Sequence, residues 1–304
     1  MKDLAVRIAV PATRLYIRYF PLKLGKSWLW HRVVRKYLAW RPLELRARSR
    51  DGLLFLGSFP DFIHTFIYFF GVWEPNVTAY LRAVLKPGDV FIDIGANVGT
   101  HTLLASRLVG STGRVHAIEA SPSIFRRLQM NLTVNAVTNV RTYQVAVSDT
   151  AGPISVFLHD ADNLGATTVV ASEAALLDAT LEQIVEGQRL QDIVPDTEIC
   201  AARLIKIDVE GAEWPVVSGM RDLLPALRQD AEILVEVNAR ALMSFGATFQ
   251  DFLAIFAEAG FSPFEIMNSY SPELYLGSPS PPTPLRHEIA FGDLLFRRTG
   301  GSAT

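Results

Sequence analysis

The chain has 304 residues, of which 49% are hydrophobic and 20% are charged, so it is long enough to bury a substantial core. Its single cysteine, Cys200, excludes an internal disulfide and indicates a reducing, cytoplasmic compartment. The formal net charge of −2 hides an uneven distribution, because residues 1–50 carry 13 Lys or Arg against two acids. The remaining chain has no basic groove with interleaved aromatics, which argues against nucleic acid as a partner.

Residues 1–50 are predicted to form a basic, amphipathic helical arm, distinct from the domain formed by residues 51–304. Apolar and aromatic side chains alternate with the charges, most densely in residues 15–20. The arm is not a signal peptide, because residues such as Arg7 and Pro11 interrupt its apolar runs. One interpretation is peripheral contact with an anionic membrane surface or another acidic partner. The other is that the aromatics pack on the main domain.

Residues 62–73, FIHTFIYFFGVW, form a strongly apolar stretch of 12 residues. A helix of that length is too short to cross a bilayer, whose hydrocarbon core requires about 20 residues. The stretch is therefore predicted to be a core helix or a lid over a binding cleft.

Residues 90–103, VFIDIGANVGTHTL, read as a strand, a tight turn and a helix in succession. The apolar start is typical of a buried parallel strand, which ends at Asp93. Gly95 and Gly99 allow the backbone to turn sharply and to approach a ligand where a Cβ atom would collide. The helix that begins near Val98 directs its N–H groups toward the turn. This order of elements predicts a ligand site.

Three kinds of site share such a loop, and the spacing distinguishes them. A dinucleotide fingerprint needs glycine where the chain has Asn97 and Thr100. A P-loop needs Gly-Lys-Ser/Thr here, but the one such triplet, residues 25–27, ends no strand and has Phe20 in place of the upstream glycine. Asp93 would repel a pyrophosphate, but it suits a ligand with an ammonium group and hydroxyls. S-adenosylmethionine is such a ligand.

A second predicted strand, residues 113–118, ends in Glu119. Glu119 follows Asp93 by 26 residues, about where a second parallel strand delivers a carboxylate to ribose hydroxyls. Ser121 and Pro122 then begin a predicted helix. Together, the two carboxylates favour a nucleoside ligand over solvated strand ends.

A third predicted strand, residues 140–145, ends beside two apolar and two polar residues, Ala146, Val147, Ser148 and Asp149. The apolar pair could flank an adenine ring, while Asp149 or a backbone group accepts from its amino group. The alternative for the polar pair is an ordinary turn. Residues 154–170 then predict a hairpin with its turn at Asn163 and Gly165, bordering the acceptor pocket. A helical pattern follows through Leu176, Leu177, Leu181 and Ile184.

Residues 204–214, LIKIDVEGAEW, predict a strand that ends at Asp208 and a helix start. Asp208, Glu210 and Glu213 therefore meet at the same carboxyl edge as Asp93, where ligands bind in open α/β sheets. For Glu213 we favour a structural role, in which its negative charge interacts with the positive end of the helix dipole. No metal site is predicted, because no histidine stands at ligand spacing beside these carboxylates.

The last third of the chain is less informative. Residues 233–237 predict a strand in which Glu236 either faces the acceptor or is a neutralised strand end. Residues 271–287 hold five prolines and predict a stiff loop, and residues 288–296 predict a late edge strand.

The motifs DIGANVGTHTL, AIEASP, AVSD and LIKIDVEGAEW, in this order, resemble the FkbM family of methyltransferases. The resemblance covers about residues 71–237 and includes GVWEP and KPGDV ahead of the first motif. It implies an α/β, Rossmann-like class I methyltransferase fold, with a mostly parallel seven-stranded twisted sheet and helices on both faces. The basic helical extension is additional to that fold. Leu181, Glu182 and Gln183 depart from the LDD that family members often have.

The resemblance implies the cofactor S-adenosyl-L-methionine and assigns its contacts by position. These contacts are Asp93, Gly95, Ala96, Asn97, Gly99, Glu119, Ser148, Asp149 and Asp208. It also implies a catalytic role for Asp208 and Glu210 at the active edge, beside Gly211.

Methyl transfer from a sulfonium is an in-line displacement, so the enzyme must mainly hold donor and acceptor collinear. The acceptor implied by the resemblance is a hydroxyl on a small molecule, sugar or lipid-linked glycan, and it must lose a proton. Asp208, Glu210 or a histidine could take that proton. Four of the six histidines are candidates: His64, His101, His159 and His287. The alternative function is a non-catalytic protein that keeps the cofactor-binding fold.

Overall fold

The computed structural model describes residues 2–158, 168–176 and 178–298. Strands and helices alternate over most of this chain, which places it in the predicted α/β class. The strands are β1 (Glu44–Arg48), β2 (Leu54–Ser58), β3 (Val90–Ile94), β4 (Arg114–Ile118), β5 (Val140–Tyr143), β6 (Ala146–Val147), β7 (Gly152–Leu158), β8 (Thr180–Gln188), β9 (Ala202–Ile207), β10 (Glu232–Asn238), β11 (Phe261–Ile266), β12 (Thr283–Pro284) and β13 (Phe291–Arg298).

Helices precede, connect and flank these strands. They are α1 (Lys2–Tyr19), α2 (Lys26–Leu29), α3 (Phe62–Phe70), α4 (Pro75–Val84), α5 (Thr100–Val109), α6 (Pro122–Val134), α7 (Ala171–Leu176), α8 (Leu190–Ile193), α9 (Asp196–Cys200), α10 (Glu213–Gly219), α11 (Ala239–Ser244), α12 (Phe249–Glu258) and α13 (Pro272–Leu276). A π-helix (Trp30–Leu38) and a short 3₁₀-helix (Leu224–Ala226) complete the set.

In the described chain, the central sheet has the strand order β12-β11-β13-β10-β9-β3-β4-β5. The five strands from β10 to β5 run parallel, and β11, β12 and β13 add antiparallel pairs. Each sheet face packs on its own core: Phe91 and Leu204 belong to one cluster, and Ile92 and Ile205 to the other. The mostly parallel sheet with two covered faces is confirmed. The predicted number of seven strands is exceeded by one, because the two-residue β12 pairs with β11.

The predicted position of the last strand, β13, is wrong. β13 was expected at an edge, but it pairs with β10 on one side and β11 on the other. Leu294, Leu295 and Phe296 are fully buried, as in an interior strand. Strand order depends on long-range pairing, which local patterns do not encode. The proline-rich segment before β13 also differs from a pure loop, since it contains α13 and β12.

A small sheet of order β6-β8-β7 stands beside the central one. The helical pattern predicted through Leu181 and Ile184 is wrong, because both residues lie in β8. α7 ends at Leu176, and Asp178 has a φ of 50°, which is incompatible with a continuing helix. Leu181 and Ile184 are both exposed, so their helical spacing does not mark a buried face.

The third predicted strand is divided between two sheets. Val140–Tyr143 pairs with β4, whereas Ala146–Val147 pairs with β8. The predicted hairpin begins in β7, and Phe157 forms an antiparallel bridge with Thr168. Its predicted turn at Asn163 and Gly165 lies outside the described residues.

Several helix starts follow the predicted chemistry. The Ser121 side chain accepts from the N–H of Ile124 at the start of α6. Asp61 caps α3 in the same way by accepting from the N–H of His64. The first nine residues of the apolar stretch at 62–73 therefore form a helix, α3, which is buried over most of its length and ends before Gly71.

The basic arm packs on the domain along one of its faces. Val10, Ile17 and Val34 are buried there. The Trp30 ring packs at a tilt against Phe66 and Phe70 of α3, with ring centroids 4.7 Å and 4.8 Å apart. The interpretation that arm aromatics pack on the domain is thus confirmed for this face. Among the described helices, none combines the length and apolar character that a membrane span requires.

Candidate active site

A cavity of about 350 Å³ opens at the carboxyl ends of the parallel strands. Asp93, Glu119, Asp208 and Glu236, which end or follow β3, β4, β9 and β10, all line it. This is the edge where ligands bind in open α/β sheets. The strand ends singled out from the sequence therefore meet at one cavity.

The glycine loop is shaped by its protein neighbours. Gly95 and Gly99 have φ values of 79° and 88°, which favour glycine. A Cβ on Gly95 would lie 1.8 Å from the backbone oxygen of Asp208, and one on Gly99 would lie 2.6 Å from Leu128 Cδ1. Both positions therefore require glycine for packing within the protein, against the loop at Asp208 and against α6, independently of any ligand. Gly95, Ala96 and Asn97 line the cavity, and Gly99 is not among the lining residues.

Asp93 lines the cavity with a buried carboxyl group. Its Oδ2 accepts a 2.6 Å hydrogen bond from Thr102 Oγ1, while its buried Oδ1 has no hydrogen-bond partner. Burial raises the pKa of Asp93 to about 6, and the charge of Lys206 opposes that rise. A carboxylate with one unsatisfied oxygen is suited to a cationic ligand group.

Glu119 links the loop to the next strand. Its Oε2 accepts from the Asn97 N–H at 2.8 Å, and its Oε1 accepts from the Ser121 N–H at 2.9 Å. Burial raises the pKa of Glu119 to about 7, against these two bonds. Each carboxylate oxygen can accept a further bond, so hydroxyl groups of a ligand could join this network.

The wall beside Glu119 is apolar. Val145, Ala146 and Val147 line the cavity, as expected for the pair assigned to an adenine ring. Ser148 and Asp149 do not line it: the Ser148 N–H donates to Gln188 O at 2.8 Å, and its Oγ donates to Asp149 Oδ1. The structure therefore brings the apolar half of this motif to the cavity and leaves the polar half in the adjoining turn.

The buried Lys206 forms an ion pair with the partly exposed Asp208. The Lys206 Nζ donates to Asp208 Oδ2 at 2.6 Å, and Lys206 is only 3% exposed. Burial alone would lower the pKa of Lys206, but the charges of Asp208 and Asp93 outweigh it and hold the pKa above its usual value. Lys206 is therefore a permanent cation beneath the cavity floor.

Three carboxylates meet next to this pair. Asp208, Glu210 and Glu236 each bring one oxygen to within 4.8 Å of the others. Burial, followed by the charge of Asp208, raises the pKa of both Glu210 and Glu236. We call this set the carboxylate trio. Its oxygens can accept hydroxyl hydrogens, and oxygen ligands are also what Mg²⁺ prefers.

Glu213 is separate from the trio. It is the first residue of α10, and its Oε1 accepts from the Gly211 N–H at 2.9 Å. It does not line the cavity. These contacts agree with the predicted role at the helix start.

Two residues that line the cavity, Glu74 and Tyr270, were not singled out as site residues from the sequence. Glu74 Oε1 accepts from the Tyr270 hydroxyl at 3.2 Å, and its Oε2 lies 3.5 Å from His101 Nε2. Burial, and then the charge of Asp293, raises the pKa of Glu74 to about 8. Burial holds the pKa of His101 well below 6.5, so the imidazole is neutral. The sequence motif GVWEP contains Glu74 and could have identified it as a site residue.

Aromatic side chains surround the cavity mouth. Trp73 and Tyr270 stack with ring centroids 5.2 Å apart, and Phe62 meets Tyr270 edge to face. Phe291 also lines the cavity, and it is exposed like Phe62 and Tyr270. These four residues form an aromatic rim.

The histidines are weaker candidates for the base. His64 and His287 do not line the cavity, and His159 lies outside the described residues. His101 lines it and faces Glu74, but burial lowers its pKa so far that it is a weak base.

The comparisons with known proteins identify the family of the chain. A family model described as the methyltransferase FkbM domain matches residues 93–263. The 31-O-demethyl-FK506 methyltransferase FkbM of Streptomyces tacrolimicus is 35% identical over 186 residues, which are 52% of this chain and 70% of that protein. The hexuronic acid methyltransferase AglP of Haloferax volcanii is 28% identical over 166 residues, 55% of this chain and 63% of that protein. The chain belongs to the FkbM family of methyltransferases.

Proposed function

We propose that this protein transfers the methyl group of S-adenosylmethionine to a hydroxyl of a small molecule, sugar or lipid-linked glycan. The observation that carries the proposal is the meeting in one cavity of Asp93, with its unpaired oxygen, and the carboxylate trio. The printed names of two relatives, a 31-O-demethyl-FK506 and a hexuronic acid methyltransferase, support an oxygen acceptor.

The residues present fit the cofactor. Asp93 Oδ1 would accept from its ammonium group, and Glu119 would accept from the ribose hydroxyls. Ala146 and Val147 would flank the adenine ring. When bound, S-adenosylmethionine supplies an electrophilic methyl carbon on a sulfonium.

Asp208 is our candidate for the base. It lines the cavity, and the buried Lys206 fixes one of its oxygens, so the other oxygen is available to the acceptor hydroxyl. Asp208 would take the proton that the hydroxyl loses, while the trio orients the hydroxyl through Glu210 and Glu236. The raised pKa values of these two glutamates make them suitable hydrogen-bond donors as well as acceptors.

The lining of the cavity suits a hydroxylated acceptor. Glu74, Asp208, Glu210 and Glu236 line it, and their carboxyl groups can exchange hydrogen bonds with hydroxyl groups. The aromatic rim offers ring faces on which the apolar face of a sugar or a polyketide can pack. Both features favour hydroxylated molecules.

The test is a turnover assay on extracts. We would incubate the protein with methyl-labelled S-adenosylmethionine and with small-molecule and lipid extracts, and measure S-adenosylhomocysteine and labelled product. The proposal expects both to form and to disappear in Asp208→Asn. Tight cofactor binding without turnover on either extract would instead support a non-catalytic, cofactor-binding protein.

A further inference from the structure

The exposed apolar side chains of the described residues are concentrated in the arm. Nine of the 18 large hydrophobic residues that are exposed lie within the first 40 residues. These nine are Ile8, Leu15, Tyr19, Phe20, Leu22, Leu24, Trp28, Tyr37 and Trp40. Since the opposite face of the arm is already buried on the domain, these side chains form a second, outward apolar face. We call it the outer face of the arm.

The centre of the outer face is a loop with a defined structure. Lys26 Nζ donates to Phe20 O at 2.6 Å, and the Tyr16 hydroxyl donates to Leu24 O at 2.6 Å. These bonds close residues 20–26 into a compact turn. Leu22 and Leu24 point away from it and are 59% and 77% exposed. An ordered loop that presents two leucines to water loses the hydrophobic stabilisation that their burial would give, so a role outside the fold is indicated.

The charge on the outer face identifies the kind of partner. Exposed Lys23, Arg35 and Lys36 accompany the apolar side chains. Residues 1–50 carry 13 Lys or Arg against two acids, whereas the rest of the chain carries 16 against 29. Basic residues interspersed with Trp, Tyr and Leu on one face are typical of segments that lie in the interface of an anionic bilayer.

The arm is firmly attached to the wall of the cavity. Trp30 packs on Phe66 and Phe70 of α3, and the Ser27 hydroxyl donates to Glu273 of α13. The first residue of α3, Phe62, belongs to the aromatic rim. A partner bound to the outer face would therefore be connected to the cavity mouth through a single helix.

We propose that the outer face binds the surface of a bilayer that contains anionic phospholipids. Leu22, Leu24 and Trp28 enter the interface, and Lys23 and Lys36 contact the headgroups. Binding is peripheral, and it is independent of which acceptor the enzyme methylates. The apolar side chains extend over α1, a loop and the π-helix, which suits a broad surface better than a peptide-sized partner.

The experiment is sedimentation of the full chain with sucrose-loaded vesicles. We would compare pure phosphatidylcholine with phosphatidylcholine containing about one third phosphatidylglycerol, at about 0.1 M and about 0.5 M salt. The proposal expects binding to the anionic vesicles at low salt, and at least about tenfold less binding to the neutral ones or at high salt.

Two sets of variants separate the apolar contribution to vesicle binding from the electrostatic one. Leu22→Ser/Leu24→Ser/Trp28→Ser should reduce the partition coefficient at least about tenfold, and Lys23→Gln/Lys36→Gln by about 25-fold, at roughly fivefold per lysine. The matched control for the apolar variant is Met130→Ser/Met243→Ser, which changes exposed residues outside the arm. Circular dichroism would verify that each variant is folded.

Three results would overturn the proposal. One is equal sedimentation of the apolar variant and its control. The second is equal binding to neutral and anionic vesicles. The third is a wild-type dimer by light scattering that the apolar variant dissociates, without vesicle binding, because the acidic domain of a second copy would then be the partner.

Discussion

Lys206 donates a 2.6 Å hydrogen bond to Asp208 at the floor of the cavity, and the lysine is almost completely buried. Lys206 belongs to β9, and Asp208 follows that strand at the carboxyl edge of the sheet, where the cavity lies. The negative charge of Asp93 also stabilises the charged form of Lys206. One buried cation therefore interacts with both Asp93, the predicted cofactor contact, and Asp208, the predicted base.

Removal of this lysine should destabilise the fold. Lys206→Met leaves Asp208 and Asp93 without their cation, and a broken buried pair typically costs about 3–5 kcal/mol. We expect a lower free energy of unfolding in urea, with the exposed Lys86→Met as the control. The double variant Lys206→Met/Asp208→Asn should lose less than the sum of the single variants. Strict additivity would mean that the two side chains do not interact.

Asp93 should control cofactor affinity. Asp93→Asn keeps the size of the side chain but removes the charge that would face an ammonium group, so we expect the Kd for S-adenosylmethionine to rise by about tenfold or more. Asp93→Ala should abolish measurable binding. Isothermal titration calorimetry gives the values, with the exposed Asp222→Asn as control. Unchanged affinity in Asp93→Ala would rule out this contact.

Buried carboxyl groups should make the ligand-free protein less stable at high pH. Burial raises the pKa of Glu119 from 4.5 to about 7, so the folded state holds the proton more tightly than the unfolded state. The free energy of unfolding should therefore fall as pH rises from about 5 to about 8, with Glu119 alone contributing on the order of 3 kcal/mol.

Glu119→Gln isolates this effect, because glutamine cannot titrate. The slope of unfolding free energy against pH should become shallower in the variant. The buried Asp93 and Glu213, whose pKa values burial also raises, supply the slope that remains. An identical slope in wild type and variant would show that Glu119 titrates normally in the folded state.

The carboxylate trio should work without a metal ion. Glu210 and Glu236 have raised pKa values, so protons reduce the repulsion within the trio. We expect turnover to be unaffected by EDTA and unchanged by added Mg²⁺. Loss of turnover in EDTA, with recovery on Mg²⁺ addition, would identify the trio as a cation site instead.

The sequence predicted the residues that lie at the ends of parallel strands. Asp93, Glu119 and Asp208 follow three separate apolar runs, and parallel topology alone brings such ends to one edge. Glycine spacing and strand periodicity were therefore sufficient to identify these three cavity residues.

Glu74 and Tyr270 could not be found in this way. Glu74 precedes the first cavity strand, and Tyr270 follows β11, so only the folded topology makes them hydrogen-bond partners. The interior position of β13 was missed for the same reason, since its two neighbours are selected by long-range pairing. The strand β8 was missed because its leucine and isoleucine happen to have helical spacing.

The most direct test of the account separates binding from transfer at Asp208. We predict that Asp208→Asn binds S-adenosylmethionine with an affinity close to that of the wild type, while turnover on a labelled extract falls by about 10²–10⁴-fold. Calorimetry and product formation would be measured on the same preparation. Wild-type turnover in Asp208→Asn would contradict the account, because the acceptor would then lose its proton without this carboxylate.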